Sequence, residues 1–80
     1  MLSLTLIGRT YCHLCHDMEQ AVRPIAEEFG VNLHLVDADS DPALEARFGE
    51  RVPVLLGGDL ELCHYFIDVP KVRDYLSKIS

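Results

Sequence analysis

Two cysteines separated by two residues, Cys12 and Cys15, stand where one periodicity of the chain gives way to another. Before them Leu2, Leu4 and Leu6 alternate with Ser3, Thr5 and Ile7, the two-residue repeat of a strand over residues 2–7. After them Leu14, Met18, Ala21, Val22, Ile25 and Phe29 recur every three or four residues, forming the apolar stripe of a helix over about residues 13–29. Gly30 suits the position just past the helix, and Pro24 inside it removes a backbone donor and predicts a kink. Gly8-Arg9-Thr10-Tyr11 is left as the connecting loop. The first strand thus hands over to the first helix at the cysteine pair.

The rest of the chain continues in the same style. Val31, Leu33 and Leu35 alternate with Asn32, His34 and Val36 as a second strand. Ser40 or Asp41 caps a short helix that starts at Pro42, ends at Gly49 and turns Leu44 and Phe48 inward. Val52 to Leu56 reads as a third strand, Gly57-Gly58-Asp59 as a hairpin turn, and Leu60 to about Tyr65 as the returning fourth strand. Asp68 caps a last helix with Val72, Tyr75, Leu76 and Ile79 on its inner face. The expected order is β-α-β-α-β-β-α, an α/β fold. The strand–helix–strand unit implies a parallel pair and the hairpin an antiparallel one, so the four-stranded sheet is mixed, with helices flanking it. Residues 1–80 are expected to form one domain, since a chain of this length has no room for a second.

Composition narrows the classes of function. With 49% hydrophobic and 25% charged residues the chain is ordinarily globular, and its net charge of −6 works against binding nucleic acid. The N-terminal segment lacks a basic leader and mixes polar with apolar residues, which argues against a signal peptide or membrane span. A cytoplasmic monomer is expected. Three cysteines are an odd number, and a closely spaced pair in a reducing compartment reads as redox-active or metal-binding rather than as a disulfide scaffold.

A thiol at a helix N-terminus faces unpaired backbone N–H groups and the positive end of the helix dipole, which favour thiolate over thiol. Cys12, at the cap, is the expected nucleophile; attack on a substrate disulfide gives a mixed disulfide that the more sheltered Cys15 resolves. Protonated His13 or His16 would favour the thiolate further, although either is equally well read as a solvated surface residue.

The stretch Gly8-Arg9-Thr10-Tyr11-Cys12-His13-Leu14-Cys15, together with Val52-Pro53, resembles the glutaredoxins of the thioredoxin-fold superfamily, and the resemblance spans nearly the whole chain. It implies a thiol–disulfide oxidoreductase without a bound cofactor, acting on protein or small-molecule disulfides and recharged by glutathione or a thioredoxin-type reductase. It also implies a cis Val52–Pro53 bond. Pro53 would then face the cysteines, with the Val52 backbone pairing with bound substrate. Arg9, Tyr11, His13 and Asp68 complete the implied substrate-binding set. Two departures stand out: His13 and Leu14 lie between the cysteines where the family carries proline and tyrosine, and Cys63-His64-Tyr65-Phe66-Ile67-Asp68 replaces a Gly-Gly followed by acidic residues that grips the γ-glutamyl end of glutathione. Weak saturation by glutathione is expected.

Other readings compete. Residues 12–16 spell the haem-attachment pattern C-x-x-C-H, but no leader or obvious second axial ligand accompanies it. Cys12, Cys15 and His13 or His16, with Cys63 or His64, have the ligand types of a structural zinc site. Asp37-Ala38-Asp39-Ser40-Asp41 begins like a calcium loop, but Pro42 and Phe48 stand where glycine and glutamate are required, so it reads as a capped turn. A binding module with an idle cysteine pair is the non-enzymatic alternative. Cys63 reads as a small buried hydrophobe, roughly opposite Pro53.

Overall fold

The structure, a computed structural model, describes residues 3–79; Leu2 and Ser80 therefore fall outside it, as does Met1. Strand β1 spans Ser3–Gly8, helix α1 His13–Phe29, strand β2 Asn32–Asp37, helix α2 Pro42–Phe48, strand β3 Val54–Gly57, strand β4 Leu60–His64 and helix α3 Val69–Ile79. A short 3₁₀ turn, Ala38–Ser40, lies between β2 and α2. The strands are arranged β2-β1-β3-β4. β1 and β2 are parallel, with Leu6 opposite Leu35, whereas β3 is antiparallel to both β1 and β4.

The helix ends follow from local chemistry. The Cys15 N–H donates to the Cys12 sulfur at 3.1 Å, so the nucleophile candidate is itself the cap of α1. At the other end Gly30 takes φ +68°, a conformation that favours glycine, and the Val31 N–H closes the turn onto the Ala26 carbonyl at 3.0 Å. The helix continues unbroken through Pro24. Asp41, rather than Ser40, caps α2 by accepting the Ala43 N–H at 2.8 Å, with Pro42 at the first helical position. The Asp37 carboxylate accepts the Asp39 N–H, giving the capped turn expected of this acidic stretch.

Strand alternation divides the interior into two parts. Leu4, Leu6, Leu55 and Leu62 meet Met18, Val22, Ile25 and Ala26 of α1 and Val72 and Leu76 of α3. Ile7 and Val54 meet Ala38 and Phe48 of α2 in a smaller cluster. α1 and α3 thus cover one face of the sheet and α2 the other. An Arg73–Glu28 ion pair, with contacts of 2.9 and 2.6 Å, ties α3 to α1.

Strand β3 runs over Val54–Gly57 rather than the expected Val52 to Leu56, and two further details depart from the sequence expectation. Leu35 alternates as an inward residue yet is half-exposed, because β2 is an edge strand. Strand β4 carries a bulge: Leu55 pairs with Cys63 and Leu56 with Glu61, leaving Leu62 as the extra residue. Cys63 accordingly lies opposite Leu55, two residues beyond Pro53.

Candidate active site at the Cys12–Cys15 pair

Three loops leave the sheet at the same end of its strands. Ile7 pairs with Val54 and Val54 with His64, so the segments that follow β1, precede β3 and follow β4 start side by side. The first carries Cys12 and Cys15, the second Val52 and Pro53 joined by a cis bond, and the third Tyr65 and Phe66. The Tyr65 N–H donates to the Pro53 carbonyl at 2.9 Å. Leu14, Asp17 and Met18 of α1 share a hollow with Tyr65, Phe66 and Ile67.

Cys12 and Cys15 form a disulfide, with their Cα atoms 5.2 Å apart. The two sulfur-bearing residues differ in access. Cys12 is half-buried at the cap, and Cys15 is only 7% exposed. The shelter over Cys15 comes partly from Gly8, where a Cβ would stand 2.9 Å from the Cys15 sulfur. Behind Cys15 a cavity of about 280 Å³ opens between α1 and the β1–β2 edge, bordered by Leu6, Arg9, His16, Glu19 and Leu35.

The other residues implied as substrate-binding occupy varied positions. Tyr11 is fully exposed and His13 is exposed, both beside the disulfide; Pro53 is buried and Val52 half-buried. The Arg9 guanidinium is directed toward α2: Nε donates to Asp39 at 3.1 Å, Nη1 to the Gly49 carbonyl at 3.0 Å, and Nη2 pairs with Glu45. Its hydrogen bonds to Glu45 and then to Asp39 raise its pKa further. Asp68 caps α3 by accepting the Lys71 N–H at 3.1 Å.

Cys63 is half-buried against the α1–α3 core. Burial pushes its thiol pKa up, although a hydrogen bond from the Asp68 backbone works the other way. Among the described residues no three His, Cys, Asp or Glu side chains converge as a metal site, so Cys63 and His64 do not join the cysteine pair. Among the described residues, too, no helix is long and apolar enough to cross a membrane.

Sequence reasoning did not single out Tyr65 as a site residue. It takes φ +64°, unusual for a bulky side chain and costing roughly 1–3 kcal/mol unless the surroundings enforce it. Its hydroxyl donates to the Glu50 carbonyl at 2.8 Å, and its ring meets His64 edge-on at 4.9 Å. The available signal was the missing Gly-Gly in this segment, which marked an unusual turn without showing what its replacement does.

A four-stranded mixed sheet between helices, with a cysteine pair at the start of the first helix and a cis-proline ahead of the third strand, defines a thioredoxin-fold protein. Over residues 3–77 the chain matches the glutaredoxin-like domain family (DUF836), and it belongs to that family. It is similar to protein Ne2328 from Nitrosomonas europaea, with 34% identity, a TM-score of 0.82, and coverage of 92% of this chain and 89% of that one. It is also similar to the X. campestris protein XcR50, with 38% identity, a TM-score of 0.68, and coverage of 94% and 96% of the two chains. Thioredoxin 1 from Thermosipho africanus shares the fold at 17% identity, with a TM-score of 0.67 over 96% of this chain and 92% of its own.

Proposed function

We propose that the protein is a thiol–disulfide oxidoreductase that reduces disulfides through Cys12 and Cys15. The observation that carries this reading is the unequal access of two bonded cysteines at a helix N-terminus, one half-buried at the cap and one almost fully covered. In the reduced protein the Cys12 thiolate attacks one sulfur of a substrate disulfide; a Cys12–substrate disulfide forms and the other substrate thiolate leaves, taking a proton. Deprotonated Cys15 then attacks the Cys12 sulfur and expels the second thiolate. Two electrons have passed from the protein dithiol to the substrate, and the Cys12–Cys15 disulfide remains for an external thiol donor to reduce. The helix N-terminus favours the attacking thiolate, and the cover over Cys15 delays it until Cys12 is engaged.

For the substrate, protein disulfides fit better than glutathione. Tyr11 and Phe66 expose large apolar surface near the pair, suited to a peptide segment. The N-terminus of α3, which a glutathione carboxylate would need, is already capped by Asp68. The net charge of −6 further opposes an anionic tripeptide. Val52, Pro53, Tyr11 and His13 form the substrate surface in this reading, and the protein acts as a cytoplasmic monomer. The test is steady-state reduction of a small disulfide with glutathione and, separately, with thioredoxin reductase as donor. Turnover with the reductase and weak, non-saturating turnover with glutathione is the expected result. No turnover with either donor overturns the redox reading, and tight saturation by glutathione overturns the donor assignment.

A further inference from the structure

Residues Glu50 to Pro53 lead into the cis-proline, and Tyr65 holds this segment at both ends. Its hydroxyl donates to the Glu50 carbonyl at 2.8 Å and its N–H to the Pro53 carbonyl at 2.9 Å. Between those anchors Arg51 is held as well, through its N–H to the Phe48 carbonyl at 2.8 Å and its guanidinium to Glu61 at 3.0 Å. Glu61 in turn accepts a hydrogen bond from His64 Nδ1 at 2.9 Å, and the His64 ring packs edge-on against Tyr65. Val52 is the exception: its backbone takes no part in the turn and loop hydrogen bonds among the described residues. Tyr65 makes both contacts from a backbone with φ +64°. A glycine would adopt that backbone more easily but would lack the hydroxyl.

We infer that Tyr65 is a positioning residue that clamps the Glu50–Pro53 segment so that the Val52 backbone is held ready to pair with an extended disulfide-bearing peptide. This rests on the redox reading above. Neither hydrogen bond of Tyr65 goes to Cys12 or Cys15, so its effect falls on substrate binding and not on the thiols. A preorganised backbone loses less freedom when a peptide docks, and that difference is read in KM.

The experiment compares wild type, Tyr65→Phe and Tyr65→Gly in steady-state reduction of a peptide disulfide, with the alkylation rate of Cys12 measured in each reduced protein. Tyr65→Phe removes only the hydroxyl contact; Tyr65→Gly removes it while suiting the positive φ, so it retains a route to folding if the phenylalanine variant does not. The expected result is a KM raised roughly three- to tenfold in both variants, with kcat and the alkylation rate within about twofold of wild type. Wild-type turnover with an unchanged KM in the variants overturns the inference alone. A fall in alkylation rate matching the loss of kcat/KM also overturns it, since the tyrosine would then act on the thiols. A wild type that reduces no disulfide overturns the redox reading and this inference with it.

Discussion

Gly8 and Cys15 are packed so closely that a β-carbon on Gly8 would lie 2.9 Å from the Cys15 sulfur and 3.0 Å from its Cβ. Cys15 cannot easily yield, because it sits in the first turn of α1 and is bonded to Cys12. Gly8→Ala therefore overpacks the junction of β1 and α1, at a cost of about 1–3 kcal/mol. For a domain of this size each kcal/mol lowers Tm by ~4–8 °C, so thermal unfolding of the oxidised variant should show a clear drop. An unchanged Tm would mean the junction relaxes freely.

The two active-site thiols should differ in reactivity. Cys12 is the more accessible and caps α1, whereas Cys15 is nearly covered. In the reduced protein Cys12 is expected to alkylate roughly tenfold faster or more, as mass spectrometry of partly modified protein would show. Cys15→Ser should accumulate a mixed disulfide on Cys12, and Cys12→Ser should abolish turnover. Faster modification of Cys15 would reverse the assignment.

Cys63 gives a pH signature. Burial raises its pKa in the folded state, so between the unfolded and folded values the native protein holds the proton more firmly. Its contribution to stability is full below the unfolded pKa and is lost as pH rises through the folded one. Urea unfolding between pH ~7 and pH ~10, either side of the ~8.5 of a free thiol, should show a steeper loss for wild type than for Cys63→Ala. The same substitution should leave disulfide reduction nearly unchanged, because Cys63 packs against the core opposite Leu55. Equal slopes in the two proteins would remove the thiol as the cause.

Arg9 joins the active-site loop to α2 through Asp39, Glu45 and the Gly49 carbonyl. These contacts are near the surface, so salt should weaken them. Arg9→Met is expected to lower Tm modestly in dilute buffer, with the difference shrinking as salt is added. A salt-independent difference would point to lost packing of the side-chain stem instead.

Much of the molecule was legible from residue order. The strand alternation of Leu4 and Leu6, the α1 stripe from Met18 to Ile25, and the Gly30 stop are all local signals, and the structure places each accordingly. The cysteine pair at the start of α1 was legible for the same reason, since a cap and its helix lie within a few residues. The cis Val52–Pro53 bond was legible through the resemblance that those residues carry.

Other features were decided only when distant segments met. Leu35 has the alternation of an inward residue, but the strand order puts it on an edge where part of it stays exposed. Arg9 reads as a free cation beside the cysteines until α2 brings Glu45, and the 3₁₀ turn before it Asp39, against it, 36 and 30 residues away in sequence. Tyr65 reads as a bulky replacement for a glycine until its hydroxyl reaches Glu50, 15 residues back. Capping and periodicity are set by neighbours within one or two helical turns, so the sequence determined the elements and the place of the thiols. The partners of Arg9 and Tyr65 depend on how β1, α2, β3 and β4 pack together, and that packing exists only in the folded chain.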